Sequence, residues 1–151
     1  MIIKDRKRRD EKPDKCLRYA VCYDESAYAE KALALTLSLM RVEDKLTIVT
    51  VREFELSESQ IGEKVRGEAA KHNVTKLEIV MLEAEPEKST WEVLHNYFVV
   101  EAQDVNKHGY VDFVAVGNKG RNFDSKNTEK YLGATANALL RERRMNTIFI
   151  P

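Results

Sequence analysis

The sequence has no excess of charge of either sign and no long apolar run. Its 25 Lys and Arg residues balance 25 Asp and Glu residues. This balance argues against a dedicated nucleic-acid-binding protein, because such proteins normally carry a basic excess. No apolar run approaches the roughly 18 residues that span a bilayer, and the charged start lacks the apolar segment of a signal peptide. We therefore expect a cytoplasmic protein with neither a nucleic-acid nor a membrane partner.

Cysteine and histidine are also rare. Cys16 and Cys22 are the only cysteines, and the strand predicted around them holds the two about 20 Å apart. They cannot form a disulfide with each other, and we expect reduced, buried thiols. The three histidines, His72, His95 and His108, have no Cys, Asp or Glu partner at metal-ligand spacing. We therefore predict no metal site.

Several motifs that handle phosphate or esters are missing. There is no G-x4-G-K-[ST] loop, which excludes a P-loop NTPase, and no G-x-S-x-G nucleophile elbow. The first predicted strand is not followed by G-x-G-x-x-G, so the usual dinucleotide fingerprint is absent. No general base can be named, and we predict no catalytic residues.

What the sequence does contain is a regular alternation of strands and helices. Apolar runs predict five strands, and helical spacing predicts four helices between them. The predicted strands cover 17–23, 45–51, 76–82, 111–116 and 146–150, and the helices cover 26–40, 57–72, 89–108 and 134–144. This alternation predicts one α/β domain with an open parallel five-stranded sheet and helices on both faces.

Helix starts and the domain boundary are also predicted. Ser26 is placed to cap the first helix, and two capping boxes open the second and third helices. These boxes pair Ser57 with Gln60 and Ser89 with Glu92. Residues 1–15 are charged and aperiodic, so we expect a disordered tail followed by a domain over 16–151.

Half of the six glycines lie in one short segment. Gly117 directly follows the fourth predicted strand, Gly120 comes three residues later, and Gly133 precedes the last helix. Either this segment is a flexible glycine-rich turn, or its backbone approaches a ligand closely. A phosphate at the start of the following helix is the usual ligand of such a backbone.

The composition around these glycines leaves both interpretations open. Ligands of open parallel sheets lie beyond the carboxyl ends of the strands, which directs attention to Asp24, Val51 and Gly117. The glycine segment is basic, which suits phosphate, although a solvated loop can be equally basic. Its basic residues are Lys119, Arg121, Lys126 and Lys130.

Three short segments together resemble the universal stress protein family: "YDES" (23–26), "GNKG" (117–120) and "LGAT" (132–135). The resemblance extends from about Leu17 to Pro151. It implies an adenine nucleotide alpha hydrolase-like fold, with sheet order 3-2-1-4-5 for the predicted strands numbered along the chain. It also implies ATP, with or without Mg²⁺, as the bound cofactor, and a homodimer that forms through the last strand.

The ATP-binding branch of that family is similar to G-x2-G-x9-G-(S/T), and this pattern implies roles for individual residues. Asp24 matches the acid at the end of the first strand, whose acceptor oxygens suit a ribose hydroxyl or a base donor. Val51 matches the position whose backbone binds the adenine edge. The phosphate-binding positions are matched by Gly117, Gly120, Gly133, Ala134 and Thr135.

Two departures from the family pattern bear on this prediction. Twelve residues separate Gly120 from Gly133, where the family has nine. The longer loop costs only about 0.3 kcal/mol in closure entropy. Ala134 stands where Ser or Thr is expected, and losing that hydroxyl weakens affinity by about ten- to a hundred-fold. Thr135 lies about 100° further round the helix and compensates only in part.

Three functions follow from these observations. The first is an ATP-binding module that acts in stress response as a sensor or switch, with at most slow hydrolysis. The alternative is a dimeric interaction module of the same fold that binds no nucleotide. A third, an enzyme that makes activated AMP intermediates, requires a glycine-rich loop after the first strand. The segment "YDESAYAEK" (23–31) contains no glycine, so this function is disfavoured.

Overall fold

The structure is a computed structural model that describes residues 2–3, 16–52, 57–101, 110–120, 132–142 and 144–151. Its strands are β1 (Ile2–Ile3), β2 (Arg18–Cys22), β3 (Lys45–Arg52), β4 (Leu77–Glu83), β5 (Phe113–Gly117) and β6 (Thr147–Ile150). Its helices are α1 (Ala27–Leu39), α2 (Glu58–Lys71), α3 (Thr90–His95) and α4 (Ala134–Arg141). A π-helical segment, Asn96–Glu101, continues α3 directly.

The sheet confirms the predicted topology. Its strand order is β1-β6-β5-β2-β3-β4, and the strands β6-β5-β2-β3-β4 are parallel to one another. Read from the β4 side, this is the order 3-2-1-4-5 expected for the five predicted strands. Residues of β5 and β6 are buried along their whole length because helices cover both faces.

The core consists of two apolar clusters, one on each face of the sheet. On one face, residues of α1 and α2 such as Leu33 and Val65 pack against Val21 and Ile48. On the other face, the α3 and π-helical residues and α4 pack against β2, β3, β5 and β6. The helices therefore lie on both faces, as predicted. Of the helices in the described ranges, none is long and apolar enough to cross a membrane.

β1 differs from the predicted disordered tail. Ile2 and Ile3 pair antiparallel with Phe149 and Ile148 of β6, so these two residues form a sixth strand at the sheet edge. The prediction is wrong at these two residues because a two-residue strand has no period that a sequence pattern can reveal. Residues 4–15 of the predicted tail lie outside the described residues.

Two buried carboxylates fix the amino end of the sheet. Asp44 accepts hydrogen bonds from the backbone N–H groups of Leu17 and Arg41, each at 2.8 Å. Asp112 accepts one from the backbone N–H of Arg18 at 3.0 Å. Both carboxylates are satisfied by backbone donors, which offsets the cost of burying their charge. The amino end is therefore held by the chain itself.

The predicted helix caps are confirmed at two of three positions. Ser26 Oγ accepts from the Ala29 N–H at 3.1 Å, and Ser89 with Glu92 forms the complete capping box. The prediction is wrong at Ser57, which makes no cap bond and whose Oγ instead lies 2.9 Å from Ser59 Oγ. A second serine two residues on competes for the hydroxyl, as Ser side chains near helix starts often do.

Gly117 allows α1 to pack closely on β5. A Cβ placed on Gly117 would lie 2.6 Å from backbone atoms of Tyr28, near the start of α1. Neither partner can move without shifting the helix or the strand, because the clash involves backbone on both sides. Gly67, on the exposed side of α2, has no atom of the other described residues within 4 Å of the same position.

We predict that Gly117→Ala destabilises the fold by about 1–3 kcal/mol, the usual cost of overpacking. The matched control, Gly67→Ala, should stabilise the protein by about 0.5–1 kcal/mol, because Ala favours a helix interior over Gly. Urea unfolding followed by circular dichroism measures both effects. Equal midpoints for Gly117→Ala and the wild type would contradict the packing described here.

Candidate functional site

The candidate site lies where β2, β3 and β5 end side by side. The Tyr23 N–H donates to Val49 O at 2.9 Å, and Thr50 Oγ1 donates to Tyr23 O at 2.8 Å. The pairing of β3 with β2 ends at Val49, whereas its pairing with β4 continues through Arg52. Val51 therefore lies beyond the end of β2, on the stretch of β3 that borders the β2 exit.

Asp24 joins the β2 exit to the glycine segment. Its Oδ1 accepts a hydrogen bond from the Ser26 N–H at 3.1 Å. Its Oδ2 lies on the side of Gly120, where an added Cβ would be 2.9 Å from that oxygen. Ser26 Oγ also donates to Lys119 O at 3.4 Å. The structure thus brings Asp24 and Gly120 together, although 95 residues separate them in the sequence (120 − 24 − 1).

At Gly133 the chain comes back to the loop that follows β5. Its N–H donates to Asn118 O at 2.8 Å, and a Cβ at this position would meet the same oxygen at 2.8 Å. The start of α4 therefore lies against the loop that follows β5. Arg121, Lys126 and Lys130, three of the four basic residues of the glycine segment, lie outside the described residues.

Gly133 is also the N-cap of α4, with φ −62° and ψ 153°. A glycine has no side chain with which to cap a helix, and no side chain in the described part of the protein forms a cap bond to α4. Ala134, the first residue of α4, is exposed, and Thr135 is half-buried. The backbone N–H groups of the first turn of α4 are therefore the polar groups of this helix that lie beside the loop after β5.

Gly117, Gly120 and Gly133 share one structural reason for being glycine, which is a close contact at the Cβ position. None has the positive φ that favours glycine, and each places its missing Cβ against another part of the chain. The partners are the Tyr28 backbone at Gly117, the Asp24 carboxylate at Gly120 and the Asn118 carbonyl at Gly133. The glycines therefore allow three segments to approach one another closely, and their predicted contacts with a ligand remain predictions.

Asn118 is a residue of this site that the sequence did not indicate. Its backbone O receives the Gly133 N–H, and its side-chain Oδ1 is buried without a hydrogen-bond partner within the described part of the chain. A buried acceptor without a donor costs about 1–3 kcal/mol. Asparagine between two glycines is a common turn residue, so its sequence position alone gave no signal.

The charge of Asp24 affects the pKa of the nearby Cys22 thiol. Burial, and to a smaller extent the charge of the Asp24 carboxylate, raises the pKa of the Cys22 thiol to about 12. We expected two buried cysteines, but Cys16 is exposed and Cys22 is half-buried as a residue. The Cys16 Sγ donates to Glu43 O at 2.8 Å. Both cysteines are free, as predicted.

A separate groove lies between α3 and α4. Its volume is about 440 Å³, and its lining includes Trp91, Ala134 and Arg141. Arg144 donates from Nε to Glu142 Oε1 at 2.9 Å, and this bond is the main reason that the pKa of Glu142 is lowered to about 2. Ala134 lies at the boundary between this groove and the strand exits.

Comparison with solved structures identifies proteins of similar fold. No family model matches the chain, and no curated protein matches its sequence. Among solved structures, a universal stress protein in complex with cAMP is similar at 17% identity and a TM-score of 0.59, covering 89% of this chain and 96% of that one. Protein Rv1636 from Mycobacterium tuberculosis H37Rv is similar at 16% identity and a TM-score of 0.54, covering 91% and 97%.

These likenesses define the class of protein. The chain is a single α/β domain with a parallel sheet whose loops meet at the carboxyl ends of β2, β3 and β5. Its fold is that of the universal stress protein structure in complex with cAMP, which confirms at the level of the fold the resemblance seen in the sequence.

We predict that the two cysteines differ sharply in reactivity. At pH 8 a thiol with a pKa of about 12 is ionised in only about one molecule in ten thousand. Iodoacetamide should therefore label Cys16 and leave Cys22 unmodified, as measured by peptide mass spectrometry. Protein unfolded in urea is the control, in which both cysteines react alike. Equal labelling in the folded protein would contradict the environment assigned to Cys22.

Proposed function

We propose that this chain binds an adenine nucleotide, ATP, at the carboxyl ends of β2, β3 and β5. The observation that carries this proposal is the convergence of three segments from distant parts of the sequence. The Asp24 turn, the Gly117–Gly120 loop and the start of α4 are linked by the Ser26–Lys119 and Gly133–Asn118 hydrogen bonds. A site of this kind is where open parallel sheets place their ligands.

The start of α4 is the element we assign to the phosphates. Its first N–H groups have no side-chain cap, and the helix dipole adds positive potential at this end. The Gly117–Gly120 loop lies beside it through the Gly133–Asn118 bond. We assign Ala134 and Thr135 to phosphate contact through their backbone N–H groups, together with the Gly120 backbone.

Acceptor groups on the other side of the site suit the nucleoside. An ionised Asp24 can only accept hydrogen bonds, so it matches ribose hydroxyls and repels phosphate. The buried Asn118 Oδ1 offers a second acceptor, and a hydroxyl or amino donor of the ligand would satisfy it. Val51 lies on the part of β3 that extends beyond β2, and we assign its backbone to the adenine edge.

The comparison with solved structures supports an adenine nucleotide in general terms. One universal stress protein of the same fold is in complex with cAMP. cAMP and ATP share adenine and ribose and differ in their phosphates. The choice of ATP, with Mg²⁺ as the counterion of its triphosphate, rests on the glycine pattern, which provides two backbone segments for a phosphate chain.

We further propose that nucleotide binding serves as a sensor or switch in stress response within the cytoplasm. The residues assigned to the ligand hold it by hydrogen bonds and a helix dipole, and we assign none of them the role of general base. At most slow hydrolysis is therefore expected. A cycle of binding and release would then carry the signal.

A second function, a dimeric interaction module that binds no nucleotide, is favoured by one observation. The space beside each of the three glycines is filled by the chain's own atoms. Close packing of the loops thus accounts for the glycines even without a ligand. Binding measurements distinguish the two functions directly.

The test of nucleotide binding is equilibrium dialysis with labelled ATP, AMP and cAMP, with and without Mg²⁺. Gly120→Val should weaken binding at least tenfold, because its side chain displaces the Asp24 carboxylate that lies 2.9 Å from the Cβ position. Folding should be kept, since Gly120 is exposed and, among the described residues, the atom close to its Cβ position is a side-chain oxygen. Gly67→Ala, far along α2, is the control and should bind like the wild type.

Two results would contradict the proposal. Wild-type protein that takes up none of the three nucleotides at millimolar concentration would leave the dimeric module as the function. Binding by Gly120→Val with wild-type affinity would show that the nucleotide occupies another site, such as the groove between α3 and α4.

Restoring the missing hydroxyl gives an independent test. Ala134→Ser places a hydroxyl on the first residue of α4, and we expect phosphate affinity to rise about tenfold, as for a hydrogen bond to a charged group. The same dialysis measures it. Ala138→Ser, one turn further along the same side of α4, is the matched control and should change nothing. Equal affinity of the two serine variants would contradict the assignment of Ala134.

A further inference from the structure

The groove between α3 and α4 is formed by one side of each helix. Trp91 and His95, four residues apart on α3, both line it, and their rings meet edge to face with centroids 5.2 Å apart. The α4 residues that line it recur at intervals of three and four: Ala134, Asn137, Ala138 and Arg141. The groove is therefore a regular feature of two neighbouring helices.

Two alanines leave this groove open. Ala134 and Ala138 lie one turn apart on α4, and the side chain of each ends at Cβ. Trp91, on the α3 side, packs against the core of this face of the sheet and remains half-buried. The resulting volume of about 440 Å³ lies within the range of small-molecule sites. Methyl groups and an aromatic ring thus supply the apolar part of the lining.

Arg141 supplies a positive charge at this groove. Its residue is exposed, and its side chain makes no ion pair or hydrogen bond within the described part of the chain. A guanidinium presents several N–H donors in a fixed plane, an arrangement that matches a carboxylate through two parallel hydrogen bonds. The groove therefore combines an apolar lining with a cation that has no acidic partner among the described residues.

The acidic residue of the groove, Glu142, is paired with other groups. Arg144 donates to both of its carboxylate oxygens, from Nε to Oε1 at 2.9 Å and from Nη2 to Oε2 at 3.1 Å. His95 Nε2 lies 3.3 Å from the same Oε2. The pKa of Glu142, lowered to about 2 mainly by Arg144, keeps this carboxylate ionised at neutral pH. Glu142 thus adds negative charge to the groove without pairing with Arg141.

We propose that this groove binds a small aromatic monocarboxylate, a planar ring that carries a single carboxylate. The ring packs against Trp91 and the methyl groups of the two alanines, and the carboxylate pairs with Arg141. The ligand carries one negative charge because ionised Glu142 and the last carbonyls of α4 repel a dianion such as phosphate. Asn137, one turn before Arg141, offers an amide for a polar substituent on the ring.

This site is separate from the one that we propose for the nucleotide, although Ala134 borders both. We assigned the nucleotide phosphates to backbone N–H groups at the start of α4. The carboxylate is assigned to the side chain of Arg141, seven residues further on and about 10 Å along the helix. The aromatic acid should therefore bind whether or not the strand exits bind a nucleotide.

The test uses Trp91, the only tryptophan in the sequence, whose indole N–H gives a single resonance in the NMR spectrum. Titration with benzoate should shift this resonance and saturate in the millimolar range, as for a small ligand held by one charge and one ring. Benzamide has the same ring without the charge and should bind at least tenfold more weakly. Inorganic phosphate should not displace benzoate.

Two variants separate the contributions of charge and shape. Arg141→Gln should weaken benzoate binding about ten- to a hundred-fold, the range expected for a hydrogen bond to a charged group. Ala138→Leu should block the ring by filling the groove and keep the helix, because Leu is almost as good a helix former as Ala. Arg66→Gln is the control: it removes an exposed arginine from α2, on the other face of the sheet, and should bind like the wild type.

Several results would overturn the proposal. These are an unchanged Trp91 resonance at saturating benzoate, benzamide binding as tight as that of benzoate, displacement by phosphate, or wild-type affinity in Arg141→Gln. Gly120→Val should bind benzoate like the wild type, which makes the test independent of nucleotide binding. Loss of benzoate binding in Gly120→Val would also overturn the proposal, because the acid would then occupy the strand exits.

Discussion

The hydrogen bond from the Gly133 N–H to the Asn118 carbonyl, 2.8 Å long, is the constraint on which the candidate site depends. It closes the segment between β5 and α4 and fixes the first turn of α4 beside the loop that follows β5. Without this hydrogen bond, the start of α4 would not be held close to the end of β2. Glycine at position 133 is required because a Cβ there would meet the same carbonyl.

The rest of the site follows from the parallel sheet. Parallel strands end on the same side, so the exits of β2, β3 and β5 are neighbours wherever their loops then go. The amino ends are held by Asp44 and Asp112, whose carboxylates bind backbone N–H groups. Asp24, at the opposite end, lies beside Gly120 of the loop that follows β5. The amino end of the sheet is thus held by backbone hydrogen bonds, and the proposed nucleotide site lies at the opposite end.

Much of this arrangement was predictable from the sequence, because the strands and helices are long enough to show their periods. The five parallel strands and the position of Asp24 at a strand exit were predicted in this way, whereas the strand order was implied by the resemblance to the universal stress protein family. Two features were not. β1 is too short to have a pattern, and Asn118 is significant only because Gly133 lies beside it, a contact that spans 14 intervening residues (133 − 118 − 1). Ser57 was mispredicted because a neighbouring serine takes its hydroxyl.

The most direct test of the account is to map nucleotide binding onto the chain by amide NMR shifts during titration with ATP. We expect saturable shifts concentrated at Gly117, Gly120, Gly133, Ala134 and Thr135, with smaller changes near Asp24 and Val51. Shifts centred on the groove at Trp91 and Arg141, or no shifts at millimolar ATP, would contradict the claim that the converging glycine segments form a nucleotide site.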